Sequence, residues 1–292
     1  MSEEALNFSY SKLATYLDCP KKYELQVIKN LSPYKENIYT AFGSSIHKTI
    51  QLVIEKKYDF EESLIIFEKE LKERIKQIDP RDAQLIFINE WIKKAKELLK
   101  YFFDEFYVKI KSGEIEVLAV EKYFKYEIKP NIFYNGIIDL IIKENCTKEE
   151  KIKMPFIKTL KNGKQRKVMQ TIIDKKNLTL YKLLDWKTGA IKPKENLQLL
   201  SYTLPIFHLE HILINNIEYI YLKHQRKIQE DVNIEKIDDT KNKIISIINN
   251  ILTDIKANNF KMCLDQNKCK HCDVKKFCDL EFQDQINKEK LL

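Results

Sequence analysis

The spacing of apolar residues changes about a third of the way along the chain. Up to Gly113, apolar residues recur every three or four positions, which is the period of an amphipathic helix. Pro80 and Gly113 interrupt this pattern, because helix interiors accommodate proline and glycine poorly. The predicted helices are 9–26, interrupted or restarted at Pro20, 44–57, 60–78 and 81–112. The N-terminal third of the chain is therefore predicted to be mostly helical.

The residues that follow are rich in β-branched and aromatic side chains, which favour strands. The predicted strands are 115–128, 132–143, 178–187 and 216–224. Pro130 and Asn131 lie between the first two strands and predict a hairpin there. Helical spacing returns at 194–209 and 238–257. The pattern therefore predicts an α/β fold in which a small central mixed sheet is flanked by helices.

Length and composition favour a folded protein inside the cell. The chain has 292 residues, of which 44% are hydrophobic and 11% aromatic, as is typical of globular proteins. No apolar run approaches the roughly 20 residues that cross a bilayer, and the N-terminus lacks the apolar segment of a signal peptide. We therefore expect no membrane contact and a cytoplasmic location. In that reducing compartment, clustered cysteines bind metal more often than they form disulfides.

The excess of positive charge lies in one segment. Residues 143–182 contain twelve Lys and Arg against four Asp and Glu, whereas the rest of the chain balances at 39 of each. Most of this segment, 144–177, is an insertion that favours a small hairpin of its own around Asn162-Gly163. It is either a solvated lysine-rich loop or a surface that follows phosphates. The second interpretation assigns DNA contacts to Lys161, Lys164, Arg166 and Lys167.

Two carboxylates lie in segments that otherwise predict buried strands. Asp139 follows Gly136-Ile-Ile, and Asp185 follows a pair of leucines. A buried carboxylate is costly unless it is paired or binds a cation. Lys187 projects to the same face as Asp185, because side chains alternate along a strand. The three residues form either strand-end salt bridges or a site for phosphodiester cleavage. In the second case the carboxylates hold Mg²⁺ or Mn²⁺, and the lysine steadies the attacking water or the charged phosphorane.

Four further residues are candidates for the same site. Gln198 and Tyr202 lie four positions apart on a predicted helix, so they share a face and can point at one site. His47, on an early predicted helix, is either a metal ligand or an ordinary histidine. Glu121, flanked by apolar residues, either binds metal or pairs with a neighbouring base.

The cysteines near the C-terminus indicate a metal site. Their spacing is Cys263-x5-Cys269-x2-Cys272-x5-Cys278. A short loop can direct such thiolates to one centre, whereas the alternative is a set of buried free thiols. The fourth ligand is either Cys263 or the distant Cys19. Spacing does not choose between zinc and a 4Fe–4S cluster, because both accept four thiolates.

Taken together, these residues resemble the motifs of the PD-(D/E)XK nuclease superfamily. Within it, the chain resembles the RecB/AddB-type branch, which includes the iron–sulfur exonucleases of CRISPR adaptation. The matching residues occur in order over nearly the whole chain. They are Ser9, Ser11, Leu13, Tyr16, Cys19-Pro20, Gly43, His47, Glu121, Gly136, Asp139, Asp185-Trp186-Lys187-Thr188-Gly189, Gln198, Tyr202 and the terminal cysteines.

The resemblance implies a restriction-endonuclease-like core, Mg²⁺ or Mn²⁺ as cofactor, and a role for each matching residue. The implied metal ligands are His47, Asp139, Asp185 and the backbone carbonyl of Trp186, and we add Glu121 to these candidates. Asp139 and Asp185 are also catalytic residues, Lys187 is the catalytic lysine, and Gln198 and Tyr202 contact DNA or support the site.

The resemblance also implies a 4Fe–4S cluster that ties the two ends of the chain together. Its ligands are Cys19, Cys269, Cys272 and Cys278, which leaves Cys263 outside. We expect one nuclease domain over 1–292, with the basic insertion at 144–177. The cluster-binding iron–sulfur coil lies at 259–280, and a charged tail follows at 281–292.

The expected function is that of a metal-dependent deoxyribonuclease, an exonuclease that acts on single strands or DNA ends. One alternative is a nuclease that trims new spacers in CRISPR adaptation beside a partner integrase. Two alternatives are not enzymes: a catalytically silent iron–sulfur DNA-binding subunit of a recombination complex, and a zinc-stapled interaction module. The chain has no P-loop of the G-x4-G-K-S/T type, so any helicase that it works with is a separate polypeptide.

Overall fold

The computed structural model describes residues 5–32, 35–84, 86–159, 165–191, 196–263, 265–270, 272–279 and 281. Helices and strands in these residues build a mixed sheet flanked by helices, which confirms the fold class predicted from the sequence. Among the described residues, no helix is long and apolar enough to cross a lipid bilayer.

The N-terminal third is helical, as predicted. Its helices are α1 (Tyr10–Asp18), α2 (Pro20–Tyr23), α3 (Ile38–Lys56), α4 (Phe60–Ile75), α5 (Pro80–Ala83), α6 (Ile88–Phe102) and α7 (Val108–Ser112), with π-helical turns at Glu24–Ile28 and Phe103–Tyr107. The predicted helix 81–112 is therefore divided into three helices. Asp79 caps α5, and Pro80 occupies its first position, which starts a helix well but allows no continuation from α4. Gly113 takes a left-handed φ of 80° and ends α7.

One mixed sheet of six strands lies at the centre of the described residues. The strands are β1 (Leu6–Ser9), β2 (Ile115–Lys129), β3 (Ile132–Thr159), β4 (Gln165–Lys187), β5 (Asn216–Tyr221) and β6 (Arg226–Asp231). β2 and β3 form the predicted antiparallel hairpin. β3 also pairs with β1 in parallel and with β4 in antiparallel orientation. β4 and β5 are parallel and are joined through α8 (Leu197–Glu210), and β6 is antiparallel to β5.

The sequence pattern does not predict β1 or β6. β1 is four residues long, too short for a periodic signal. β6, with the sequence RKIQED, lies at the end of the strand order and is largely exposed. An edge strand of this kind is held mainly by backbone hydrogen bonds, so it needs few apolar side chains.

The insertion at 144–177 continues two strands of the sheet. β3 and β4 remain paired in one register from Leu140 with Leu184 out to Thr159 with Gln165. The insertion thus pairs as an antiparallel hairpin whose connection lies between Thr159 and Gln165, as the turn signal predicts, but its two strands are continuations of β3 and β4 and not separate strands. Asn162-Gly163 themselves lie outside the described residues.

Helices cover both faces of the sheet. The adjacent residues Tyr219 and Ile220 of β5 point into two different hydrophobic clusters, as expected from the alternation of side chains along a strand. One cluster packs against α1, α8 and α9 (Ile234–Ala257), and the other packs against α3, α4 and α6. α9 begins four residues before its predicted start, because the Asn233 side chain caps it by accepting from the Lys236 amide.

Candidate active site

The two predicted strand carboxylates lie where β3 and β4 separate. A strand has two edges, and β2 occupies one edge of β3, so β1 and β4 share the other. Pairing with β4 stops at Leu140 with Leu184, and Asp139 and Asp185 lie just beyond that pair. The Asp139 Oδ2 atom accepts the Trp186 backbone N–H at 2.9 Å. The Asp139 carboxylate therefore takes the place of a strand partner at this fork.

His47 and Glu121 reach the same fork from two other elements. His47 Nδ1 lies 3.2 Å from Asp139 Oδ2 and 3.8 Å from Glu121 Oε1. One ligand atom from each of the three side chains lies within 4.8 Å of the other two. Carboxylate oxygens and an imidazole nitrogen are donors suited to a divalent cation such as Mn²⁺. The arrangement could therefore hold a metal ion.

Glu121 is held in an uncommon backbone conformation. Its φ is 45°, in the left-handed region, although it lies within β2. Val120 pairs with Leu140 and Lys122 pairs with Ile138, so Glu121 lies opposite Asp139. A non-glycine residue in this region costs about 1–3 kcal/mol and persists only where the surroundings hold it. Such strain is common at functional sites, and here it accompanies a carboxylate directed at the acidic cluster.

The charges at the fork shift the pKa values of the groups that meet there. Burial by itself lowers the pKa of His47, but the negative charge of Asp139 and hydrogen bonds to Asp139 and Glu121 outweigh this effect and raise it to about 10. Burial and the charge of Asp139 raise the pKa of Asp185 above its usual range, and Lys187 and His47 oppose this rise. The fork is thus a site of concentrated negative charge that stabilises a cation.

Lys187 connects Asp185 to the helix that follows β4. Its ammonium forms an ion pair with Asp185 Oδ2 and lies 3.4 Å from Gln198 Oε1. Gln198 in turn donates from Nε2 to the Tyr202 Oη atom at 3.3 Å. Burial, together with the charges of Asp185 and Asp139, raises the pKa of Tyr202 to about 12, so its hydroxyl stays neutral. The Lys187 ammonium also lies over the ring of Tyr219, 5.2 Å from the ring centre.

A cleft of about 520 Å³ gives access to His47 and Glu121, two of the three side chains that could hold a metal ion. One face of α3 lines it with residues spaced three or four apart, including Gly43 and His47. Thr188, just after Lys187, lies against this helix. A Cβ at Gly43 would lie 3.2 Å from Thr188 Oγ1, so glycine permits the close approach of α3 to the end of β4.

Gly136 permits a second close approach, on the side of α8. A Cβ at this position would lie 3.0 Å from two ring atoms of Phe124 and 3.1 Å from Tyr202 Cε1. The rings of Phe124 and Tyr202 are themselves packed edge to face, with centres 5.3 Å apart. The lack of a side chain at Gly136 thus lets Tyr202 sit close to β3.

Gly136→Ala is expected to lower the free energy of unfolding by about 1–3 kcal/mol, because the added methyl group overpacks this contact. Urea denaturation of the variant and the wild type would measure the difference. Gly189→Ala is the matched control, since nothing lies within 4 Å of a Cβ there. Equal losses in the two variants would contradict the packing explanation.

Five cysteines line a second cavity, which has a volume of about 130 Å³. They are Cys19, Cys263, Cys269, Cys272 and Cys278. The structure thus brings Cys19, at the end of α1, to the terminal cysteines, and it places Cys263 at the same cavity. The backbone N–H groups of Lys22 and Cys263 each lie 3.4 Å from Cys19 Sγ. Burial and the charges of Cys263, Cys19 and Cys272 raise the pKa of Cys269. Crowded thiols of this kind suit a thiophilic metal group.

Ion pairs also join the two ends of the chain beside the cysteine cavity. Lys21 and Lys29 each bind both Glu24 and Glu281. The Lys21 backbone N–H donates to the Lys261 carbonyl at 3.1 Å. Glu24 is only 6% exposed, so these cations neutralise a buried carboxylate. The cavity therefore lies in a region where ion pairs and a backbone hydrogen bond join the N-terminal and C-terminal segments.

The proposed DNA contacts of the insertion remain predictions. Lys161 and Lys164 lie outside the described residues. Arg166 and Lys167 lie on β4, opposite Lys158 and Ile157, but their side chains are outside the described part of the structure.

Several residues of the site carry no sequence signal strong enough to predict them. Lys48 and Arg74 line the cleft, and Tyr219 lies beneath Lys187. Charged residues at exposed helix positions are common, so the two cations could not be singled out. Tyr219 lies on β5, which is connected to β4 through α8. Its ring reaches the site only because β4 and β5 pair in parallel with Asp185 opposite Tyr219.

Residues 7–279 match the family model of the PD-(D/E)XK nuclease superfamily, and the chain therefore belongs to this superfamily. Its nucleases use divalent metals such as Mg²⁺ or Mn²⁺, which agrees with the cluster of His47, Glu121 and Asp139. No curated protein matches the chain.

Proposed function

We propose that the protein is a metal-dependent deoxyribonuclease, an exonuclease that acts on single strands or DNA ends. The observation that carries this proposal is the meeting of His47, Glu121 and Asp139 at the fork where β4 places Asp185 beside Lys187. Strand-end salt bridges alone would not require a histidine and a strained glutamate at the same point. The superfamily match makes cleavage of a phosphodiester the reaction that this arrangement serves best.

The residues at the fork fit a divalent cation. Asp139 and Asp185 supply hard oxygen donors, and His47 supplies a nitrogen. Without a metal, the negative charge that raises the pKa of His47 keeps its imidazole protonated, and a bound metal ion would displace this proton and neutralise the same charge. When bound, Mg²⁺ or Mn²⁺ lowers the pKa of a water molecule and polarises the scissile phosphate.

Lys187 is the proposed catalytic lysine. Its ammonium, held between Asp185 and Gln198, can orient the attacking water and offset the charge that develops on the phosphate. Gln198 and Tyr202 hold Lys187 in place as a hydrogen-bonded chain. Because the Tyr202 hydroxyl is neutral, it acts as a hydrogen-bonding group and not as a base.

The cysteine cavity supports assignment to the RecB/AddB-type branch, as a further part of the proposal. Cys19, Cys269, Cys272 and Cys278 are the proposed ligands of a 4Fe–4S cluster, and zinc is the alternative. The cluster serves structure by joining α1 to the C-terminal segment, where ion pairs already link the same two regions. Iron and acid-labile sulfide would identify the cluster, whereas stoichiometric zinc without them would identify a zinc site.

Cleavage assays on labelled substrates of different shape test the proposed function. Protein purified without oxygen is incubated with linear single strands, linear duplexes, circular DNA and RNA, in Mg²⁺, Mn²⁺ or a chelator. We expect metal-dependent cutting of linear DNA, loss of cutting in the chelator, and resistance of circles. A folded, metal-loaded protein that binds DNA but cuts none of these substrates would instead be a silent DNA-binding subunit.

The positive charge of the insertion is expected to contribute to DNA binding. Replacing Lys161, Lys164, Arg166 and Lys167 with glutamine should weaken binding at low salt, because fewer counterions are released from the phosphates. If all four side chains contact phosphates, the negative slope of log K against log salt should become less steep by about 3 on single strands. An unchanged slope in binding titrations from low to moderate salt would make the insertion a solvated loop.

A further inference from the structure

A third cavity adjoins the active-site cleft. It has a volume of about 350 Å³ and shares Tyr39 and Thr188 with the cleft. Phe42 and Trp91 form part of its wall, and Gly189 and Ala190 extend it from the end of β4. Because Thr188 follows Lys187 directly, this cavity begins one residue from the proposed catalytic lysine. We call it the aromatic cavity.

Two of the aromatic residues of this cavity pack edge to face, and one of them is largely exposed. Tyr39, in the first turn of α3, is 75% exposed, and its ring centre lies 5.6 Å from that of Trp91 on α6. Phe42 packs behind them, 5.1 Å from Trp91, and is itself buried in the core. The core thus anchors Trp91, while Tyr39 leaves most of its side chain available to a ligand. An exposed ring beside a fixed ring is suited to stacking with another aromatic group.

Basic side chains accompany the aromatic rings. The Lys94 ammonium lies 4.0 Å above the centre of the Trp91 ring. Lys94 and Lys223 line the aromatic cavity, and Lys48 and Arg74 line the adjoining cleft. The carboxylates in these walls are Glu97 and the proposed metal ligand Glu121, and Arg74 is also paired with Glu36 at 4.0 Å. Away from the metal ligands, the two cavities therefore favour an anionic chain.

We propose that the aromatic cavity binds an unpaired nucleobase of the DNA strand, next to the phosphate that is cut at the fork. The proposal rests on the proposed function and names the form of its substrate. Bases inside a duplex have both faces covered by neighbouring pairs, so away from a duplex end only an unpaired base can stack on the exposed ring of Tyr39. Every base has a stacking face, so this contact needs no particular sequence. Lys94, Lys223 and Lys48 then contact the backbone phosphates on either side of this base.

Binding measured without cleavage tests this inference. Fluorescence anisotropy with labelled single-stranded DNA and with a labelled circular duplex, which has no terminal base pair, is carried out in Ca²⁺ in place of Mg²⁺. Tyr39→Ala should weaken single-strand binding about tenfold, as expected for the loss of one base–aromatic stack, and leave duplex binding unchanged. Tyr39→Phe keeps the ring and should restore the affinity. Tyr123→Ala removes another exposed tyrosine, which lines neither cavity, and serves as the matched control.

A scan with wild-type protein avoids any effect of a substitution on folding. Single-stranded oligonucleotides that lack one base at successive positions should lose affinity at one position near the cleaved end. Single-strand binding that is unaffected by Tyr39→Ala, or equal affinity across the scan, would overturn the inference. If wild type cuts DNA but shows neither effect, the inference fails alone. If both effects occur without cutting in Mg²⁺ or Mn²⁺, the proposed function fails and the base-binding cavity stands.

Discussion

Asp185→Asn is expected to abolish DNA cleavage without destabilising the protein. The rate should fall by about 10³-fold, because the substitution removes one metal-binding charge from the site where charge develops in the transition state. Stability should stay the same or rise. Asp185 is 4% exposed, so its ionised form is costly to bury, and a neutral amide of the same shape removes that cost. The asparagine oxygen can still accept from Lys187.

Paired measurements of rate and thermal midpoint distinguish this explanation from simple unfolding. Glu116→Gln on β2 is a matched control, because it also neutralises a carboxylate paired with a lysine, Lys143, but outside the fork. This variant should cut DNA at the wild-type rate. An Asp185→Asn variant that retains activity, or one that loses activity only because it unfolds, would contradict the proposed role of Asp185.

Cys272→Ser is expected to lower the stability of the protein, because it removes a proposed metal ligand. Metal bound only by the folded state contributes to folding, and a site weakened 100-fold loses about 2.7 kcal/mol of that contribution when ligand is in excess. A loss of this size should lower the thermal midpoint by about 5–10 °C in a domain of this length. Iron, sulfide and zinc contents, measured with the midpoint, would show whether the metal group is lost together with the stability.

Two other cysteines make this experiment specific. Cys146→Ser tests a cysteine in the insertion that the sequence does not assign to the site, and it should change neither metal content nor midpoint. Cys263→Ser should keep the metal if the ligands are Cys19, Cys269, Cys272 and Cys278. Loss of metal in Cys263→Ser but not in Cys272→Ser would contradict that ligand set.

The elements that hold the candidate site could largely be predicted from the sequence. Asp139 and Asp185 stand out because they interrupt strongly apolar strands, and burial makes such carboxylates costly without a cation or partner. The spacing of Gln198 and Tyr202 predicts a shared helix face, and the structure joins their side chains. These inferences depend on local periodicity, which sequence records directly.

Features that depend on the meeting of distant segments could not be predicted in this way. The aromatic cavity exists because α3 and α6 pack Tyr39 and Trp91 together, and neither residue lies in a distinctive motif. The left-handed backbone of Glu121 follows from the pairing of β2 with β3, not from its residue type. β6 likewise depends on an available sheet edge and carries little apolar pattern.

In the proposed function, the fork between β3 and β4 holds a divalent metal that is used to cut DNA. The measurement that tests it most directly is the degradation of end-labelled single-stranded DNA by the wild type and by Asp185→Asn, each purified without oxygen. Both proteins are assayed in Mg²⁺, in Mn²⁺ and in a chelator. We expect the wild type alone to release label, and only with added metal. Cutting in the chelator, or equal cutting by both proteins, would contradict this role of the fork.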